Sequence, residues 1–427
     1  MITKNLELAQ TLEKLAVDGG TPVRSAHLNP RKPFGLEEAK EALEALASGT
    51  LFYAGGKKVY QFLDAFRKLY GVPGAVPSTS GTAALHVAVG TVNPEPGDEI
   101  LVPPVTDMGS IAPIVLSGAI PVFVDVEPET FNLDPKDLAR KITDRTRAVM
   151  AVHVWGRPAN LTAIQAAIKG RNIALIEDCA EAHYVRYQGK LTGTIGDLGA
   201  FSFQQSKHIT CGDGGVTIVN RPEWLLRAEL FVDKGCDWTK DRAYRKTYAF
   251  MAPCYRMTEL QGAVLSAQVA KLPELVARRR ELGGRLARKL QGLVGVHPPP
   301  PPDEEYDHGY WGFPLRIVEE ELGAGRDEFR KALEAEFIKT DVWIGKPLYL
   351  YDALANRITF GKSQWPWRGT GRDIEPYRPG LCPNAEKAMS QLCNIVRIHE
   401  QTTDAELEDV ARAVIKVAKG LRARRGG

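Results

Sequence analysis

The chain has 427 residues, 44% hydrophobic and 25% charged, which is ample for a sizeable core and, at that length, points to two structural domains. Its 55 Lys and Arg against 52 Asp and Glu leave a formal charge of +3, too balanced for nucleic-acid binding by bulk electrostatics. No apolar run reaches the roughly 18 to 20 residues that span a bilayer, Met1 to Glu7 holds no signal-peptide core, and six scattered cysteines form no Cys-x-x-Cys pair. The expectation is a soluble cytoplasmic protein with reduced thiols, no metal, and no nucleic-acid or membrane partner.

An N-terminal arm over residues 1–30 precedes a large unit over 31–290 and a smaller C-terminal one over 291–427. Residues 36–48 and 59–70 carry the apolar period of amphipathic helices. Next, the polar stretch Ser78-Thr79-Ser80-Gly81-Thr82 runs straight into an apolar helical pattern over 81–89. Such a turn offers unpaired N–H groups and the positive end of a helix dipole to an anion, so Gly81 and Thr82 are natural phosphate holders. Taken alone, an ordinary N-capped helix explains the stretch better.

Short apolar strands at 99–102, 120–124, 148–154, 173–176 and 215–219 alternate with helical patterns. This implies right-handed crossovers and a largely parallel sheet covered on both faces, with ligands gathered at the carboxyl ends of the strands. Asp178 occupies such an end, in Ile173-Ala-Leu-Ile-Glu-Asp178, and Lys207 follows in Ser202-Phe-Gln-Gln-Ser-Lys-His208, ahead of the turn Gly212-Asp-Gly-Gly215. A lysine that forms a Schiff base with an aldehyde cofactor needs a second, anionic group to keep the cofactor's pyridine nitrogen protonated, the pairing found in pyridoxal 5'-phosphate (PLP) enzymes. Singly, each feature is also what a solvated lysine or a plain turn looks like.

Beyond this, a long charged helix over 258–293 leads to His297 and the prolines Pro298 to Pro302, a stiff spacer. Trp311-Gly-Phe-Pro-Leu-Arg-Ile then reads as a strand, with helices at 326–337 and 403–420 and a frayed basic tail, Lys419 to Arg425. No internal repeat is evident.

Taken together, the segments resemble the DegT/DnrJ/StrS family of PLP-dependent sugar aminotransferases, of the aspartate aminotransferase fold type. The resemblance runs in order through Phe34-Gly-Leu-Glu-Glu-Ala, Ala47-Ser-Gly-Thr-Leu, Ser80-Gly-Thr-Ala-Ala-Leu, Pro96-Gly-Asp-Glu-Ile-Leu-Val-Pro, Gly118-Ala-Ile-Pro-Val-Phe-Val-Asp, Glu177-Asp-Cys-Ala, the Lys207 segment and Tyr255-Arg-Met-Thr-Glu-Leu-Gln. It implies the PLP-dependent transferase fold: an α/β large domain with a mostly parallel sheet between helices, plus a smaller C-terminal α/β domain. It further implies a homodimer that moves an amino group from glutamate or glutamine to a keto sugar or keto cyclitol. Lys207 would bind PLP and shuttle the proton, Asp178 would pair with the pyridinium, and Gly81, Thr82 and Ser202 would hold the phosphate; a small residue for tight turning explains Ser202 equally well.

Three positions depart from the family pattern. Glu181 stands where many members carry Gln or His beside the cofactor's 3-hydroxyl, so either its pKa is raised or its side chain turns away. Asp107 occupies the slot of a ring-stacking aromatic, leaving Met108 or a shifted residue to cover that face. Cys254 replaces the asparagine that reaches the other subunit's phosphate, and thiols donate weakly. His183 and His208 are expected to be scaffold groups. Tyr53 reads as a substrate-entry residue or a surface turn. The aromatic stretches Leu348 to Tyr351 and Trp365 to Trp367 are candidates for the acceptor pocket. A PLP-dependent deoxysugar dehydratase is the alternative activity, disfavoured because histidine replaces the lysine there. A non-catalytic PLP-binding regulator is the other.

Overall fold

The computed structural model describes residues 13–237, 247–370, 374 and 376–425, so Met1 to Glu7 and the start of the arm lie outside the described residues. Seven strands form the main sheet: β1 (Gly74–Ser78), β2 (Glu99–Val102), β3 (Ile120–Phe123), β4 (Thr146–Val152), β5 (Ala174–Asp178), β6 (Leu198–Ser202) and β7 (Gly215–Val219). Their order is β1-β7-β6-β5-β4-β2-β3. Only β7 runs antiparallel to its neighbours; the other pairings are parallel. The α/β class and mostly parallel sheet expected from the alternating pattern are therefore present.

Helices α1 (Leu36–Ala47), α2 (Lys58–Tyr70), α3 (Gly81–Val92), α4 (Met108–Leu116), α5 (Pro135–Lys141), α6 (Leu161–Ile168) and α7 (Pro222–Phe231) accompany this sheet. Of these, α4 to α7 and the strands β1 and β6 escape the sequence pattern. Helix α4 is apolar nearly throughout and contains Gly109 and Pro113, so it shows no amphipathic period. Strand β1 contains Pro77, which has no N–H for a ladder; it is tolerated because β1 is an edge strand with β7 as its one neighbour.

Helix α8 (Glu259–Leu290) is long enough to serve two cores. Its first half packs with α2 under the sheet through Leu265, Val269 and Leu272. Its second half, Leu282 to Leu290, joins a separate cluster with the small antiparallel sheet of β8 (Val296–His297), β9 (Phe313–Ile317), β10 (Thr340–Asp341) and β11 (Leu392–Ile395). Leu15 and Leu28 of the N-terminal arm sit in that same second cluster, beside α9 (Arg326–Ala335) and the closing helix α10 (Asp404–Arg425).

Three sequence expectations are corrected here. Strand β9 starts at Phe313, leaving Trp311 in the preceding loop. The basic tail is helical through Arg425, and Arg424 pairs with Glu328 at 2.9 Å and with Asp18, so opposite charges hold it down. The aromatic stretches around 349 and 367 turn their central rings into the core: Tyr349 and Trp367 are fully buried, with Tyr349 against Phe123 of edge strand β3 and the Trp367 Nε1–H donated to Tyr377, whose hydroxyl donates to the Pro121 carbonyl. Their area is spent covering the open edge of the sheet. Among the described residues, no helix is long and apolar enough to cross a membrane.

Helix α8 is started by a capping box between Thr258 and Gln261. Its buried first residue, Glu259, in turn accepts from the N–H groups of Lys57, Lys58 and Val59 at 2.7, 2.7 and 3.1 Å, closing the N-terminus of α2. Glu259→Ala would strand three donors and is expected to cost about 2 to 4 kcal/mol. Urea denaturation would show this as a lower midpoint, and an unchanged midpoint would remove the cap from the account of α2.

Candidate active site

A cavity of about 430 Å³ opens at the carboxyl ends of β5 and β6. Gly81, Thr82, Asp107, Asp178, Glu181, Ser202 and Lys207 all line it, so seven of the eight site residues expected from the sequence converge. Cys254 is the exception: it is exposed outside this cavity, its Sγ 3.9 Å from Lys234 Nζ. Tyr53 is not in the lining either, and Cys211 turns its thiol to the Asp213 carbonyl at 3.0 Å.

One end of the cavity is built for an anion. Ser80 caps α3 by accepting from Ala83 N–H at 3.1 Å, which leaves the N–H groups of Gly81 and Thr82 ahead of the helical ladder. Glycine is required at 81 because a Cβ there would lie 2.5 Å from Ser202 Cβ. That close approach brings the Ser202 hydroxyl to the helix N-terminus.

The other end is acidic. Asp178, 4% exposed, accepts from Ser110 Oγ at 2.7 Å and from Ala180 N–H at 3.1 Å. Burial raises its pKa, against the pull of those two donors and of the Lys207 charge. A cation arriving beside it would reverse that shift. Glu181 does not turn away: one oxygen lies 3.7 Å from Lys207 Nζ and the other accepts from Trp155 N–H at 2.7 Å. Burial pushes its pKa up to about 7, opposed by Lys207 and the Trp155 N–H. Asp107 caps α4 by accepting from Gly109 N–H at 2.8 Å, so its side chain is committed to the helix end.

Lys207 extends over the face of Trp311, its Nζ 3.9 Å from the ring centroid. Its backbone is clamped from outside by Arg31, which donates to the carbonyls of Lys207 at 2.7 Å and of His208 at 2.5 Å, and pairs with Glu400 at 2.6 Å. Neither Arg31 nor Trp311 had a signal in sequence, since each acts across more than 100 residues of chain. Both histidines are buried, and burial drives the His183 pKa down to about 3 and that of His208 well below its usual value. They are neutral near pH 7. His208 Nε2 bonds the Gly309 carbonyl at 2.9 Å, and His183 packs against Phe201 and Phe203.

Among the described residues, His153, Glu177 and Cys179 bring potential metal-binding atoms together. The Glu177 carboxylate is already used by the N–H groups of Gly193, Ile195 and Gly196 and by His153 Nε2, so the group is a structural knot.

The chain is similar to known proteins over most of its length. The model of the DegT/DnrJ/EryC1/StrS aminotransferase family matches residues 34–415. An L-glutamine:2-deoxy-scyllo-inosose aminotransferase of Micromonospora echinospora is 32% identical over 96% of this chain and 99% of its own. A GDP-perosamine synthase of Escherichia coli O157:H7 is 33% identical over 70% and 80%. The crystal structure of the aminotransferase TlmJ from Streptoalloteichus hindustanus superposes with a TM-score of 0.77 at 27% identity, covering 93% of this chain and all of that one.

The raised Glu181 pKa makes stability depend on pH. Between pH 4.5 and about 7 the native state keeps a proton that the unfolded chain has released, so rising pH destabilises the fold through this window, by up to about 3 kcal/mol. Glu181→Gln lacks the titration, and its urea midpoint is expected to gain on the wild type as pH rises from 5 to 8. An equal gap at both pH values would contradict the assignment.

Proposed function

Because the chain belongs to the DegT/DnrJ/EryC1/StrS aminotransferase family, we propose that it binds PLP in the cavity around Lys207 and transfers an amino group from glutamine or glutamate to a keto sugar or keto cyclitol. The convergence of Lys207 and Asp178 on one cavity, with an anion cradle at its far end, carries this reading. The relative that is similar over nearly the whole chain takes its amino group from L-glutamine and acts on a cyclitol.

The residues fit the cofactor. Gly81, Thr82 and Ser202 would hold its phosphate, and Asp178, buried without a full cationic partner, would face its ring nitrogen. When bound, PLP supplies an aldehyde that links to an amine and a ring that accepts the electron pair released at the donor's α-carbon. Ser110 fixes the Asp178 carboxylate by its hydrogen bond, so the acid need not reorient to hold a proton at the ring. Glu181, able to exist protonated near neutral pH, donates a hydrogen bond where a glutamine amide serves in other members. Lys207 is the base that takes the donor's α-proton and returns it. Its backbone is held by Arg31, so its amine moves by side-chain rotation alone.

The working unit is a homodimer. Helix α1 buries Glu38 and turns Leu36, Leu43 and Leu46, 86, 65 and 55% exposed, to the outside, the inverse of a surface helix. A second copy of the chain is the partner this face fits.

Purified protein is expected to absorb as a PLP enzyme, and borohydride to fix the cofactor on the peptide containing residue 207. Lys207→Ala should bind PLP without this trapping and lose about 10³-fold or more in turnover; trapping at another residue, or a cofactor spectrum unmoved by both glutamine and glutamate, would overturn the proposal. For assembly, Leu43→Glu should shift the protein to a monomer by light scattering, and a variant that stays dimeric would move the interface elsewhere.

A further inference from the structure

Among the described residues, the amine of Lys207 makes one ion pair, with Glu181 Oε1 at 3.7 Å. Glu181 is 5% exposed, and its other oxygen is taken by the Trp155 N–H at 2.7 Å. The amine is therefore the one partner that Oε1 has. On another side Nζ rests 3.9 Å from the centroid of the Trp311 ring, so a carboxylate and an indole face both attract an ammonium ion at this point. A lysine that takes a proton from carbon must first be neutral, and the proton it sheds needs a destination.

The titratable neighbours leave one destination. Both oxygens of Asp178 already accept, from Ser110 Oγ and Ala180 N–H, and Asp107 is held by the Gly109 N–H. His183 is buried with its pKa driven down to about 3, so it takes no proton near neutral pH. Glu181 alone combines a free oxygen facing Nζ with a pKa that burial lifts to about 7. The amide of a glutamine at this position would have no such capacity.

We propose that Glu181 is a further catalytic residue, whose carboxylate takes the proton that Lys207 sheds and gives it back. An N–H bond of the ammonium breaks as an O–H bond forms on Oε1, so carboxylate and ammonium become carboxylic acid and amine with no change in net charge and no proton passed to water. The neutral amine is then ready for the donor's α-proton, a use that rests on the aminotransferase reading above.

A shared proton leaves a mark that a lone lysine does not. Below about pH 7 both groups are protonated; above it one proton is divided between Nζ and Oε1, and the neutral-amine fraction stops changing with pH until that proton also leaves. In the cofactor-stripped full-length chain, acetylation of Lys207 by acetic anhydride, read by mass spectrometry, is expected to rise about tenfold per pH unit up to about pH 7, hold within about twofold to about pH 8.5, and rise again. Glu181→Gln should give one continuous rise. In the holoenzyme, single-turnover conversion of the cofactor by L-glutamine should level off above about pH 7 in wild type and keep rising in the variant, by about tenfold or more from about pH 7.5 to 9. A purely scaffolding glutamate would instead scale the rate equally at every pH. A wild-type labelling profile without the plateau overturns the proposal even if the variant does not fold. A plateau that survives in Glu181→Gln, or a variant whose half-reaction keeps the wild-type pH profile, overturns it as well. Since labelling needs no cofactor, it reports on the pair alone, whereas a holoenzyme inert to glutamine and glutamate alike would remove the aminotransferase reading.

Discussion

A carboxylate held away from water at the end of a parallel strand is the constraint around which the molecule is arranged. Burying Asp178 is unfavourable for its charged form, and the Ser110 and Ala180 donors offset only part of that. With Glu181 buried nearby, two acids share one lysine, and their environment strains toward protonation. Such a cluster is held at a cost in folding stability, since burial opposes the charged form of both acids.

Holding Lys207 against that cluster falls to residues remote in sequence. The N-terminal arm packs Leu15 and Leu28 into the core of the small sheet, and Arg31 just after it donates to the carbonyls of Lys207 and His208. Glu400, between Arg31 and Arg279, ties the same clamp to helix α8, which itself runs through both cores. The clamp thereby ties the small sheet to the backbone of Lys207, with no contact to its amine.

How much of this the sequence discloses follows from the range of each interaction. Asp178, Lys207, Ser202 and the Gly81–Thr82 turn are legible because strand ends, glycine turns and helix starts are local features, and the fold class because strands alternate with helices. Helix α4 is hidden because an element buried all round has no polar face, and β1 because a proline on an edge strand looks like a turn. The aromatic runs at 349 and 367 mislead for a related reason: exposed sheet edges and ligand pockets both attract large rings, and composition does not separate them. Glu181 is legible to the point of a choice between a raised pKa and a side chain turned away; the Trp155 N–H, 26 residues distant, holds the carboxylate inward, and burial there raises its pKa.

The aromatic surface of the site illustrates how a chain can move a function rather than lose it. At 107 an aspartate caps helix α4 in place of a stacking ring, and a capping acid cannot also cover a cofactor face. Large rings enter instead from Trp155, after β4, and from Trp311 and Trp343, flanking β9 and β10 of the small sheet. Trp311 lies under the amine of Lys207, 3.9 Å from Nζ to the ring centroid, and the other two rings pack against it.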